Sequence, residues 1–131
     1  MPLRHVKDAL LIAEVSLPVG ATTAYTVDFD LGDGEKHERV ELSVEIPALA
    51  LSELPNAVSL TAKVFHGAAP VPTTELANLG SVTGATGTDP STAKEIRYRF
   101  PPTVGRYVRV GFVGAANVAA SAKKGTASLV F

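Results

Sequence analysis

Apolar and charged residues alternate one for one over residues 94–100, with Ile96, Tyr98 and Phe100 on one side and Glu95, Arg97 and Arg99 on the other. A period of two is what a strand needs when one face is packed and the other is wet. A helix would scatter the same residues around its circumference. The pattern recurs. Over 39–46, Val40, Leu42, Val44 and Ile46 oppose Arg39, Glu41, Ser43 and Glu45, and over 57–66 Val58, Leu60, Ala62 and Val64 oppose Ser59, Thr61 and Lys63. Over 25–31, Tyr25, Val27, Phe29 and Leu31 oppose Thr26, Asp28 and Asp30. The chain therefore has to build its core from strands.

Further strands are expected at 9–17, 76–83, 106–113 and 126–131, giving about eight in all. Pro18, Gly20, Gly32, Gly34, Pro47, Gly84, Pro101, Gly105 and Gly114 punctuate them, each breaking a strand for a local backbone reason. The connections are too long for two-residue hairpins alone and let successive strands cross between two sheets. The expectation is an all-β, single-domain, jelly-roll-like β-sandwich of antiparallel strands spanning 1–131, with 1–8 as an N-terminal arm. Segments 48–56 and 117–123 have room for one helical turn each. The glycine- and hydroxyl-rich stretch 80–92 reads as an exposed loop.

Composition narrows the chemistry. Apolar residues make up 46% and charged residues 19%, as in a globular chain. Twelve basic residues against thirteen acidic leave a net charge of −1, which argues against a nucleic-acid partner, since that would call for a concentrated basic face. With no cysteine, disulfides, thiolate zinc sites and thiol nucleophiles are excluded. The apolar run at 9–13 is interrupted by Glu14, short of the roughly 7–15 residues of a signal core and the roughly 20 of a membrane span. A soluble product made inside a cell, with no membrane partner, is expected.

No catalytic, cofactor or metal motif emerges. The run Asp28-Phe29-Asp30-Leu31-Gly32-Asp33-Gly34-Glu35 fails as an EF-hand, because Gly32 and Asp33 fill its fifth and sixth positions and Arg39 its twelfth. A strand running into a glycine turn, its carboxylates in water, is the expectation there. Gly80-Ser81-Val82-Thr83-Gly84 and Lys123-Lys124-Gly125-Thr126 lack the lysine placement of a phosphate loop. His5, His37 and His66 are isolated, and no serine sits in a nucleophile elbow. A sugar site would want aromatic platforms, yet there is no Trp, and most of the three Tyr and five Phe fall at core-type positions. If the strands carrying Arg97, Arg99, Arg106 and Arg109 pair, they make an arginine-rich face suited to an acidic partner surface.

Two segments resemble the small jelly-roll cement (decoration) proteins of tailed-bacteriophage capsids. One is Lys7-Asp8-Ala9-Leu10-Leu11-Ile12, followed by Asp28-Phe29-Asp30-Leu31-Gly32-Asp33-Gly34. The other is Pro102-Thr103-Val104-Gly105-Arg106-Tyr107-Val108-Arg109-Val110, then a small-residue stretch and Lys124-Gly125-Thr126-Ala127-Ser128-Leu129-Val130. The strand at 58–65 and the segment 76–84 are similar in order and spacing, while insertions at 47–55 and 68–72 depart from the family pattern. The resemblance implies a non-enzymatic virion protein, made in the host cytoplasm, that binds the outside of the assembled icosahedral shell. It would bridge adjacent capsomers of the major capsid protein, as a homodimer or homotrimer at a symmetry axis, and hold the head against DNA pressure. Contacts are expected from the arm (Arg4, His5, Lys7), from Pro70 and Pro72, from Thr86 and Asp89, and from Arg97, Arg99 and Arg109. The alternative is a carbohydrate-binding or tail-type adhesion module.

Overall fold

A computed structural model of the chain describes residues 12–31, 40–84 and 93–130. Among these, nine strands form and no helix: β1 (Ile12–Ser16), β2 (Thr23–Tyr25), β3 (Phe29–Asp30), β4 (Glu41–Ile46), β5 (Ser59–Gly67), β6 (Thr74–Thr83), β7 (Lys94–Arg99), β8 (Tyr107–Gly114) and β9 (Lys124–Val130). Every pairing between them is antiparallel, in two sheets. One sheet runs β1-β9-β4-β7; the other runs β2-β8-β5-β6, with β3 also on β8. Counting β2 and β3 as one interrupted strand, the chain alternates between sheets except at the β5–β6 hairpin, as a jelly roll does, and the expected sandwich is the observed fold.

Alternation fills the space between the sheets. From one side come Ala13, Leu42, Val44, Ile46, Ala127 and Leu129; from the other Phe29, Leu60, Ala62, Val64, Val82, Val108, Val110 and Phe112, all buried. Outward positions carry polar side chains. Glu41 of β4 pairs with Arg97 and Arg99 across to β7, and Glu95 pairs with Arg97 along β7 itself. On the second sheet, hydroxyls meet across β5 and β6, Ser59 with Thr83 and Thr61 with Ser81. Charged residues also guard the free edge of β7 against pairing with another chain. From that edge Lys94 donates to the Ser81 carbonyl of β6, linking the two sheets at their margin.

The strand expected over 25–31 is instead two short strands. Thr26, expected on the wet side, is buried, while Tyr25 and Val27 are exposed. The cause is a side chain standing in for backbone: Thr26 Oγ1 accepts from Val110 N–H at 3.0 Å, and Thr26 N–H donates to the Val110 carbonyl at 2.9 Å. One residue thus closes both bonds of the β8 ladder there, and the alternation flips face across it. Residues 80–83, where the expected strand 76–83 and the expected loop 80–92 overlap, belong to β6; 85–92 lie outside the described residues. Segment 48–56 does make its single turn, with Glu53 and Leu54 N–H both donating to the Ala50 carbonyl.

Chain direction gives the sandwich two distinct ends. At one, the segments 17–22, 47–58 and 115–123 are knitted by backbone bonds, among them Gly20 to Val118, Ala119 to Glu53 and Leu17 to Lys123. Leu17, Leu49, Leu54, Val118 and Ala120 are buried beneath them. The Glu53 carboxylate completes this end, accepting from Lys123 Nζ at 2.9 Å and from Ala50 N–H at 2.8 Å. At the other end lie the start of β1, the β5–β6 loop and the segment 100–106.

Sheet spacing is set where the Phe112 ring of β8 lies over Gly125 of β9; a Cβ at Gly125 would fall 2.5 Å from the ring. Gly125→Ala is expected to destabilise by about 1–3 kcal/mol through overpacking. The double variant with Phe112→Leu should lose less than the sum of the two single changes, because the shorter side chain admits the new methyl. Urea unfolding of all three checks this, and strict additivity would contradict it. Acid stability follows from Glu53, whose pKa is held below the ordinary 4.5 by the Lys123 hydrogen bond first and the Ala50 N–H second. A carboxylate depressed in the folded state contributes stability that is present above its unfolded pKa and is lost as pH falls through the folded value. Glu53→Gln should therefore narrow the gap to the native protein as pH drops below about 4.5, as read from melting temperature against pH.

Candidate interaction surface

At the second end, the loop 68–73 projects a small apolar tip. Ala68, Ala69, Pro70 and Val71 are exposed, Val71 at 63%, and Val27 from the β2–β3 junction is exposed beside it at 62%. Two side chains hold the loop. The Asp28 carboxylate accepts from Val71 N–H at 2.7 Å, and Arg109 Nε donates to the Pro72 carbonyl at 2.9 Å. Pro72 itself is buried. The neighbouring segment is tied down through Gly105 N–H, which donates to His66 Nδ1 at 3.0 Å.

Val71 lies in the left-handed region, with φ at 56°. That region is unfavourable for a β-branched residue, and a residue before proline is biased toward extended backbone. Holding it there costs on the order of 1–3 kcal/mol, offset by the two anchoring bonds. The result is an isopropyl group fixed in solvent, not folded back onto the core.

Beneath the tip, the outer face of the second sheet carries an aromatic and cationic stack. Tyr25 and Phe65 flank β8 and close over Gly111, their centroids 5.4 Å apart in an edge-to-face arrangement. A Cβ at Gly111 would lie 2.7 Å from the Phe65 ring, so only glycine lets the two side chains meet. The Arg109 guanidinium covers Tyr25 at 3.7 Å from the ring centroid, a geometry favoured by the ring quadrupole. Next to it Arg106 grips Asp30 with two hydrogen bonds, of 2.8 and 3.0 Å, and lies over Tyr107.

The anticipated arginine face does not form. β7 belongs to the first sheet and β8 to the second, because the chain crosses between sheets through 100–106. Arg97 and Arg99 thus share an outer face with Glu41 and Glu95, while Arg106 and Arg109 lie on the far side of the molecule. Nor do Asp28 and Asp30 simply face water: one caps the loop at Val71 and the other pairs with Arg106. Of the other expected contact residues, Pro70 stands on the tip, whereas Arg4, His5, Lys7, Thr86 and Asp89 lie outside the described residues, as do His37 and residues 32–35 of the acidic run. Gly80–Thr83 and Lys124–Thr126 are strand segments and offer no phosphate cradle. Among the described residues no group of three His, Asp or Glu is placed to hold a metal ion. An open recess of about 330 Å³ lies at the opposite end, lined by residues that include Glu45, Lys94, Glu95 and Lys124.

Sequence reasoning missed Val71, Val27 and Tyr25. The visible signal was the Pro70-Val71-Pro72 triplet, an apolar residue between two prolines in a connection with nothing to bury it.

No family model matches the sequence, and no curated protein matches it. In shape the chain is similar to a solved structure described as "Family 16 Carbohydrate Binding Module-2", at 15% identity over 90% of this chain and 74% of that one, TM-score 0.40. It is also similar to one described as "CBM4 structure and function", at 16% identity over 91% and 80%, TM-score 0.32. Both likenesses are too distant to bear on ligand or partner.

Relief of the strain at Val71 is directly measurable. Val71→Gly removes the left-handed penalty of about 1–2 kcal/mol while adding roughly 0.5–1 kcal/mol of unfolded-chain entropy. Stability in urea should stay level or rise, and a clear fall would mean that Val71 packs in a way its exposure denies.

Proposed function

We propose that this chain is a capsid cement protein, binding the outer surface of an assembled icosahedral shell and bridging adjacent capsomers of its major capsid protein. One observation carries the reading: an exposed apolar tip kept in a strained backbone by two dedicated anchors, on a rigid jelly-roll body. Strain of this kind persists where a surface must be presented in one shape, and prepaying the loop's ordering lowers the cost of docking. The resemblance in residues 102–110 and 124–130 supports the same reading. So does the meeting of two expected contact residues, Pro72 and Arg109, at the base of the tip.

The energetics suit such a role. A ligand that binds only the assembled state stabilises it by mass action, and copies clustered as a dimer or trimer at a symmetry axis gain further from multivalency. Nothing in that task calls for a reaction.

A glycan-binding reading draws on Tyr25 and Tyr107, on the outer face of the second sheet. A guanidinium lies over each tyrosine ring, however, at 3.7 and 5.2 Å, and this occupies stacking surface that a sugar would need.

Mixing the protein with undecorated shells and imaging them by cryo-electron microscopy tests the proposal. Density is expected outside the shell, across capsomer seams, with the Val71 end inward. Val71→Asp should weaken shell binding by about tenfold or more, since it exchanges a buried apolar contact for a buried charge. Bare shells at saturating protein, together with signal on a glycan array, would replace this reading with the sugar-binding one.

A further inference from the structure

One charge at this tip lacks a counter-charge. Among the described arginines, Arg97, Arg99 and Arg106 each pair with a carboxylate, whereas Arg109 makes no ion pair. Its partners are the Pro72 carbonyl, through Nε, and the face of Tyr25. Asp28, the acidic anchor of the loop, directs Oδ2 to Val71 N–H and forms no ion pair with Arg109. The terminal Nη groups of Arg109 therefore keep their donors, in a half-buried setting where an unpaired cation is costly.

The arrangement is preorganised. Ring contact with Tyr25 fixes the plane of the guanidinium, and the Nε bond fixes its rotation about that plane. Both remaining nitrogens lie on one edge, the edge that receives a carboxylate as a two-pronged fork. Beside it stand the exposed side chains of Val71 and Val27. Charge and apolar surface thus adjoin on one rigid element, in the pattern of an interface anchor ringed by water-excluding contacts.

We propose that Arg109 is the anchor for a carboxylate on the partner, with Val71 and Val27 filling an apolar recess next to it. The occupant is a protein surface on which an Asp or Glu side chain borders such a recess. Only the identification of that surface with a capsid shell rests on the function proposed above; the chemistry of the site does not.

The test has two arms. In the first, the full chain is titrated with the capped tripeptide acetyl-Val-Glu-Val-amide, and the Arg109 Nε–H and Val71 methyl signals are followed by nuclear magnetic resonance. A saturable shift is expected, at least about tenfold weaker with acetyl-Val-Gln-Val-amide and absent in Arg109→Met. Arg109→Lys should keep the loop and part of the response, because it retains the charge and donors on a single nitrogen but not the fork; it also guards against a loop collapse in the Met variant. No saturable shift, an equal response to the Gln peptide, or persistence of the shift in Arg109→Met would overturn the proposal. In the second arm, Arg109→Met is mixed with undecorated shells and should show about tenfold lower occupancy than the native chain. Native occupancy in that variant would overturn the anchor while leaving the capsid reading intact. A peptide response without any shell binding by the native protein would uphold the anchor and remove the capsid reading.

Discussion

The distance between the two sheets is the constraint on which the rest of the molecule depends, and it is fixed where Phe112 meets Gly125. A large ring on one sheet needs a bare backbone on the other. Around that contact the inward residues of β4 and β9 meet those of β5 and β8 at the density of a protein interior. With no disulfide to brace the body, this packing and the strand ladders carry its stability. They also make it stiff, and the two ends inherit that stiffness by different means.

At one end, backbone hydrogen bonds between three connecting segments form a closed cap over buried leucines, with Glu53 and Lys123 joining two of the segments. At the other, side chains do the holding. Asp28 reaches a loop more than forty positions away in the chain, and Arg109 reaches the next residue of the same loop from the middle of a strand. The first end is self-sufficient. The second spends polar groups on keeping an apolar tip outside, against the ordinary tendency of apolar side chains to fold inward. That contrast is the ground on which the second end is proposed as the docking end.

Arg109 links the two scales. It belongs to β8, the central strand of its sheet, so its backbone is as firmly placed as any in the molecule. From there it covers Tyr25 and holds Pro72, transmitting the rigidity of the sheet to the loop. Gly111, two residues on, clears the space in which Tyr25 and Phe65 meet under this stack. A surface built this way keeps its shape in the free protein, so that the docking proposed for it would leave little ordering entropy to be lost.

Strand positions were legible in the sequence because the period of two is a local property: one wet face and one dry face impose it residue by residue. Seven of the eight expected strands therefore recur in the structure, with shifts of a few residues at their ends, while the one over 25–31 is split in two; the buried identities of Leu42, Val44, Leu60, Val64 and Phe100 follow from the same rule. Failures fall where a distant group replaced the local one. Thr26 reads as a wet position in sequence but is buried because its hydroxyl closes a backbone bond of Val110, a partner eighty-four positions away. Arg97 and Arg109 read as neighbours but stand on opposite sides, since the chain changes sheets between them. The sequence by itself determined that the chain would be a two-layer β body with polar outer faces. Only the tertiary structure decided which side chains would share a surface, because in a jelly roll neighbours in space are brought together by strand order and not by chain distance.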